Sequence, residues 1–583
     1  MACGNAPFKM ELGNNCVDEE IIYHGPLSVS RRFSCQCPPE TYIMVELACA
    51  VEKKWLTEGS VRLRRSLSFA IGVILPALLI VVAAQSFAEP KRGGTLTVIA
   101  ISPIPSLNNA IRSGTTTGFP ATKIFASPLR LGVDYKFQPY LAESWQFSAD
   151  HKSLTLKLRQ ATFHDGTPIT SKDVAFSIMT VKKYHPFKTM FEPVERVDTP
   201  DKKTAVIRLS KPHPALLMAL TPPFCPILPE HIYGQGDIRE NPANLKPVGS
   251  GPFKVVSFKQ DEYLVLERYE NFFIPGRPYL DKLVFRVISD QATRALVMEK
   301  GEADLLAEIR DVPDILRMQK SPNLLTTREG YSLIGAVGWL EFNTKKKPFD
   351  NKQVRQAISY AIDRKLICQS LFRGLAQVAT GPIAQGNPYY SADVNPYNVD
   401  LQKANKMLDD AGYRRGANGI RFKMVVDAEV HPDIVQQYLV SQLKKVGIDV
   451  EARVSPDFAT WANRTSNGTQ DATINLVYNY GDPVIGVHRS YVSSNIKAGI
   501  PYSNTAQYSN PEIDALLERA ANETDQQKRK ALYAEFQKKV VDDCPMAFIY
   551  IVPYHLIYNK RVGNPVTDAW GFFQPGDELY VKQ

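Results

Sequence analysis

Cysteine is scarce where a folded domain would use it. Eight occur in 583 residues, and five of them, Cys3, Cys16, Cys35, Cys37 and Cys49, crowd into the first sixty. Only Cys225, Cys368 and Cys544 follow. So sparse and odd a set excludes a disulfide framework and leaves at most one bridge, so a hydrophobic core must carry the stability. Cys35-Gln36-Cys37 has no His or Cys partner at zinc spacing, and no metal or cofactor is expected. Catalytic signatures are missing as well. There is no P-loop, no G-x-G-x-x-G, no H-E-x-x-H and no EF-hand loop, and Gly249-Ser250-Gly251 falls one residue short of G-x-S-x-G. The nine histidines are scattered, His213, His431 and His488 among them, and none forms an i, i+4 pair. The net charge of +9 comes without a Lys/Arg run interleaved with aromatics, so no nucleic-acid partner is expected.

What is present begins with an export signal. Arg62, Arg64 and Arg65 precede an apolar run over 67–84, and Ser86-Phe87-Ala88 places small residues where a signal peptidase reads. Residues 61–88 therefore read as a signal peptide, with a periplasmic destination. The rival reading is a membrane anchor, since the run is near the ~18-residue lower limit for spanning; Pro76 and the small-residue exit favour cleavage. Residues 1–60 lie upstream of that signal and show no amphipathic period. They read as a mis-called extension, with Val61 as the natural start. Removing 1–88 leaves the charge unchanged, because eight Lys/Arg and eight Asp/Glu lie there.

The remaining chain is too long for one compact core. Its 44% hydrophobic and 22% charged composition suits a soluble globular protein. Strands are expected at "RGGTLTVIAI" (92–101), at "SLTLKLRQATF" (153–163) with alternation at Leu154, Leu156 and Leu158, and at 204–210, 280–288 and 473–477. Helices are expected after the Thr170-Ser171-Lys172-Asp173 capping box, after Asp350 or Asn351, and from Asp400 to a stop at Gly412. "PDIVQQYLVSQLKKVGIDVEARV" reads as a helix ending at Gly447, then a strand. Strands and helices alternate throughout, so the class is α/β with a mixed sheet in each lobe. His164-Asp165 sits at a strand end before a Gly-Thr-Pro turn. Adjacent strand residues point to opposite faces, so the pair reads as a connector, with Asp165 bonding the turn backbone. A secreted hydrolase using His164–Asp165 or His488 stays open as an alternative, as does a membrane-tethered sensor.

At this point a family likeness enters. "YLAESWQFSADHKSLTLKLRQATFHDGTPITSKDVAFSI" resembles the signature of the family 5 solute-binding proteins of ABC importers, the peptide/nickel/oligopeptide group. "PVGSGPFKV", "GRPYLDKLVFRVISDQATRALVMEKGEADL", "FNTKKKPFDNKQVRQAISYAIDRKLI", "DLQKANKMLDDAGY" and "NPEIDALLERA" follow in family order. The resemblance covers the chain from about residue 92 to its end. It implies a two-lobed, type 2 Venus-flytrap fold with an extra domain on the first lobe. Projected here, lobe I takes 89–110, 246–335 and 545–583, the extra domain 111–245, and lobe II 336–544. It also implies no enzymatic activity, a small-molecule or peptide-like ligand, ABC permease subunits as partners, and a monomer.

For the ligand site the resemblance points to the loop after the first strand, with Ser106, Leu107 and Asn108, and to the second-lobe loop with Tyr478, Asn479, Tyr480 and Asp482. Trp339, Trp461 and Trp570 read as core or lobe-edge residues. Dipeptide-binding relatives place an aspartate and an arginine in the cleft; here Asn479 and Ala428 fall at those positions. A clamp for a zwitterion is then missing. A neutral, hydroxyl-rich or cyclic ligand stacked on Tyr478 or Tyr480 fits better, or a cationic one if Asp482 turns inward.

Peptide mapping of the native precursor tests the start site. No peptide from 1–60 is expected; finding one places the start upstream of Val61.

Overall fold

The computed structural model describes residues 90–429 and 434–582. The extension, the signal segment and His431 lie outside the described residues.

The first sheet grows around the strand Thr95–Ala100, whose Leu96 and Val98 are buried. It pairs in parallel with Lys282–Val287 on one side and Leu305–Ile309 on the other. The full order is Leu324–Thr327, His555–Asn559, Leu305–Ile309, Thr95–Ala100, Lys282–Val287, Tyr263–Arg268 and Phe253–Lys259. The second sheet runs Gln377–Val378, Met546–Ile551, Val337–Phe342, Ala472–Val477, Phe422–Ala428 and Ile448–Val454. Within it Phe422–Ala428 and Ile448–Val454 are parallel, and the helix Ile434–Lys444 makes the crossover that parallel strands require. Both sheets mix parallel and antiparallel pairs, as the α/β expectation required.

A four-stranded antiparallel sheet, Ala142–Phe147, Ser153–Leu158, Thr204–Leu209 and Val194–Asp201, lies within 111–245. Leu154, Leu156 and Leu158 are its buried face, and the helix Ser171–Tyr184 packs on it. That helix starts where the capping box is expected: the Asp173 carboxylate accepts from Thr170 N at 2.9 Å and from Thr170 Oγ1 at 2.8 Å. Asn351, not Asp350, caps Lys352–Ala361 by accepting from Gln353 N at 2.8 Å.

The chain passes from the first sheet to the second over 328–336 and returns over 552–554. The return corrects the lobe boundary placed at residue 545. Met546–Ile551 pairs antiparallel with Val337–Phe342 and so belongs to the second sheet, with all six residues buried. The preceding helix ends at Cys544 in a left-handed conformation, φ 51°. That break looks like a lobe boundary, yet the apolar run behind it continues the same core, and the crossing waits for Pro553.

Gly249-Ser250-Gly251 and His164 form one joint. Gly251 N donates to Ile124 O at 2.7 Å, and a Cβ at Gly249 would stand 2.0 Å from that oxygen. Only glycine permits this approach. Ser250 Oγ donates to Ile227 O at 2.8 Å, which makes it a brace rather than a nucleophile. The His164 ring closes the joint, accepting from Gly249 N at Nδ1 and donating from Nε2 to Gly251 O, each at 3.0 Å. Asp165 turns the other way, accepting from Thr167 N at 2.9 Å and meeting His231 Nε2 at 2.8 Å. Cys225, Cys368 and Cys544 are free and buried.

Burial pushes the His164 ring down to about 4, and a proton on Nδ1 would face the Gly249 N–H. Against an unfolded value of about 6.5, the unfolded chain takes up the proton first as pH falls. The stability from this histidine is therefore complete above pH ~6.5 and is lost progressively toward pH ~4. His164→Ala is expected to lower the melting temperature at pH 7.5, to flatten the thermal-stability slope between those limits, and to leave solute affinity nearly unchanged. A large affinity loss at unchanged melting temperature contradicts the role as a joint.

Candidate functional site

A cavity of about 2400 Å³ opens between the two sheets. Three kinds of segment build it. Strand ends of the first sheet contribute Ile101, Glu308 and Arg310; the loop after Ala472–Val477 contributes Tyr478, Tyr480 and Arg489; the return crossing contributes 552–554. Pocket formation at the carboxyl ends of strands is the general rule for open α/β sheets. Here Thr95–Ala100 and Leu305–Ile309 run parallel and both point into the cleft.

Its floor is a hydrogen-bonded aromatic cluster. The Tyr478 hydroxyl donates to Glu308 Oε1 at 3.1 Å and lies 2.9 Å from the Tyr554 hydroxyl. The two rings stack with centroids 6.1 Å apart. Glu308 N donates to the Tyr331 hydroxyl at 2.6 Å, and Glu308 sits at φ 60°. A non-glycine residue in this region is held there by its surroundings, here by hydrogen bonds at both its backbone and its carboxyl. Burial pushes the Glu308 carboxyl above its ordinary value. Tyr480, at φ 52° on the second-lobe loop, packs against the 111–245 region, with the Phe187 and Phe224 rings 5.0 and 5.6 Å away. The Trp461 indole donates to Thr473 Oγ1 at 3.0 Å and keeps one face on the cavity.

The residues picked from sequence divide sharply. Tyr478 and Tyr480 line the cavity, as does Ala428. Ser106, Leu107 and Asn108 do not. All three are buried, and Asn108 Nδ2 donates to Asn244 Oδ1 at 2.9 Å while Leu107 N donates to Asn244 O at 2.8 Å. They tie the loop to the neighbouring turn, and 113–115 take the lining position instead. Asn479 is also withdrawn. Its Oδ1 accepts from Ala384 N at 2.7 Å and its Nδ2 donates to Pro382 O at 3.1 Å. Asp482 does not turn inward. Arg529 grips both its oxygens, at 2.6 and 2.9 Å, and it caps the short helix Pro483–Gly486 by accepting from Val484 N at 3.0 Å. Burial works against the charge of Asp482, and Arg529 more than offsets it, leaving the carboxyl below its usual range.

Glu308, Arg310, Arg489 and Tyr502 are cavity residues that sequence reasoning passed over. The first two stand at the C-terminal end of a strand, a position the α/β rule marks. Arg489 had no local signal beyond its neighbour His488, which is itself 3.0 Å from the Tyr533 hydroxyl and is pushed down to about 3 by burial. Among the described residues no group of three or more His, Cys, Asp or Glu could hold a metal, and no helix is long and apolar enough to cross a membrane.

Two sheets joined by two crossings, with one large aromatic-floored cavity between them, define a two-lobed solute-binding protein. Residues 136–498 match the family of bacterial extracellular solute-binding proteins, family 5 Middle, and the chain belongs to that family, the solute-binding components of ABC importers. It is similar to heme-binding protein A of Haemophilus influenzae, 30% identical over 436 residues, covering 70% of this chain and 78% of that protein. It is also similar to the glutathione-binding protein GsiB of Pectobacterium atrosepticum, 26% identical over 520 residues, covering 86% and 95% respectively. Among solved structures, the ABC transporter substrate-binding protein CtaP from Listeria monocytogenes superposes with a TM-score of 0.73 at 27% identity, covering 85% of this chain and all of that one.

Asp482→Asn leaves Arg529 buried without its counter-charge. A loss of about 3–5 kcal/mol is expected, read from urea unfolding, with the double change Asp482→Asn/Arg529→Gln less harmful than the sum of the two single changes. Equal additivity contradicts the coupling.

Proposed function

We propose that this protein captures a peptide-like solute in the periplasm, closes its lobes over it, and hands it to the permease subunits of an ABC importer in the inner membrane. It works as a monomer and performs no chemistry on the solute. The observation that carries the reading is the cavity between the two sheets, bounded by the only backbone crossings that join those sheets among the described residues, 328–336 and 552–554. Two crossings give a hinge, and closure by hinge motion is the standard mode of such proteins.

The cavity volume exceeds the roughly 300–1,000 Å³ of a single small-molecule pocket. It suits a solute of several residues or of comparable bulk. The relatives named for glutathione and for heme span that range, from a tripeptide to a macrocycle. The hydrolase alternative has no support in the geometry. His164 and Asp165 diverge onto different partners, and His488 has its hydrogen bond to Tyr533.

Small-angle scattering on the mature protein, with the solute identified by native mass spectrometry of material released from the host periplasm by osmotic shock, tests the proposal. A single retained solute and a smaller radius of gyration on rebinding it are expected. An unchanged radius at saturation overturns closure.

A further inference from the structure

Outside the cleft, each buried arginine among the described residues meets an acid or a set of backbone carbonyls, and buried Asp427 draws in two more. Arg529 holds Asp482, Arg130 meets Asp577, and Asp427 takes both Arg453 and Arg464. Arg364 has no acid but donates to the carbonyls of Phe548, Ser359, Ile362 and Tyr397. Two arginines of the cavity, one exposed and one half-buried, have no acid beside them. Arg489, on the second-lobe loop, lies over the Phe187 ring, 5.0 Å from its centroid, and donates Nε–H to Gly486 O at 3.2 Å. Arg310, just past Leu305–Ile309, lines the same cavity as Tyr554. Among the described residues, neither guanidinium has a carboxylate oxygen within 4.0 Å.

The acids of the same cavity do not fill the gap. The Glu308 carboxyl accepts from the Tyr478 hydroxyl and burial pushes it above its ordinary value; its charge acts on Arg310 only from beyond ion-pair distance. Glu429, on the second-lobe wall, is not free. Both guanidiniums line the same cavity, Arg310 from the end of a first-sheet strand and Arg489 from the second-lobe loop. Arg310 is exposed and Arg489 half-buried, so both guanidiniums are open to a solute entering the cavity, and a guanidinium fork matches a carboxylate or phosphate in two parallel hydrogen bonds.

We infer that Arg310 and Arg489 form a clamp across the cleft for a solute bearing a carboxylate or phosphate group, whose apolar part lies against Tyr478, Tyr480 and Trp461. The inference rests on the importer reading and narrows it to anions. It replaces the neutral or cationic solute expected from Asn479, Ala428 and Asp482. An anion held from both lobes binds the closed state better than the open one, which is the differential affinity that closure requires.

Calorimetry with matched pairs tests the clamp: glutathione against its diethyl ester for the carboxylate arm, glucose 6-phosphate against glucose for the phosphate arm. In one arm the anion is expected to bind at least tenfold more tightly than its partner. Arg310→Gln and Arg489→Gln should each remove most of that margin at unchanged melting temperature, and Arg489→Lys should restore part of it. A neutral partner bound as tightly as its anion, or a margin that survives both substitutions, overturns the clamp. Silence from every anion, with a neutral or cationic solute retained from the host, overturns the clamp and leaves the importer reading intact. Failure to retain or bind any solute overturns the importer reading itself.

Discussion

The ion pair between Asp482 and Arg529 is the constraint on which the binding face depends. Residues 478–489 form an irregular loop that must present two tyrosines and an arginine to a cavity without a strand or long helix to hold them. Asp482 anchors its middle from below. The same carboxylate caps the short helix that carries the chain toward Arg489, and Arg529 ties it to the long helix Gln526–Asp543. Arg529 also donates to the Tyr389 hydroxyl at 2.6 Å and to Ala520 O at 2.8 Å, so the guanidinium joins three segments of the second lobe at one point. Replacing such a pair by well-packed apolar residues can be neutral in stability; what this pair supplies here is the position of the loop.

Asn479 and Asn108 serve the same end by smaller means. Each is a buried amide with its hydrogen bonds taken by backbone or by another amide, and each pins a loop beside the cleft. The general requirement that buried polar groups find partners explains why polar residues close to a binding cavity need not face it. The left-handed conformations of Glu308 and Tyr480 belong to the same economy, since the surrounding contacts hold both residues where they meet the cavity.

Much of the fold was legible in the sequence because its signals are local. Alternation at Leu154, Leu156 and Leu158 marks a one-sided strand, and Asp400 with Gly412 brackets a helix in the way capping chemistry dictates. The return crossing was misplaced for an equally physical reason. "MAFIYI" is apolar on both faces, so it carries no period that says which sheet it joins, and the helix break at Cys544 offered a nearer landmark. The site was less legible still. Whether Asn479 or Asp482 faces solute or protein depends on Pro382, Ala384 and Arg529, and no spacing rule brings those residues together. The arginines of the cleft are informative only through the carboxylates they lack, which is a property of three-dimensional neighbourhoods.

The return crossing is three residues long and one of them, Tyr554, stands on the cavity floor in contact with Tyr478. Crossing and cavity surface are thus the same piece of chain. Under the proposed closure, a change around Tyr554 acts on the solute surface and on the crossing at the same stroke. Ala428 and Trp461 line the same cavity away from that crossing, so a change there alters fit without touching the crossing.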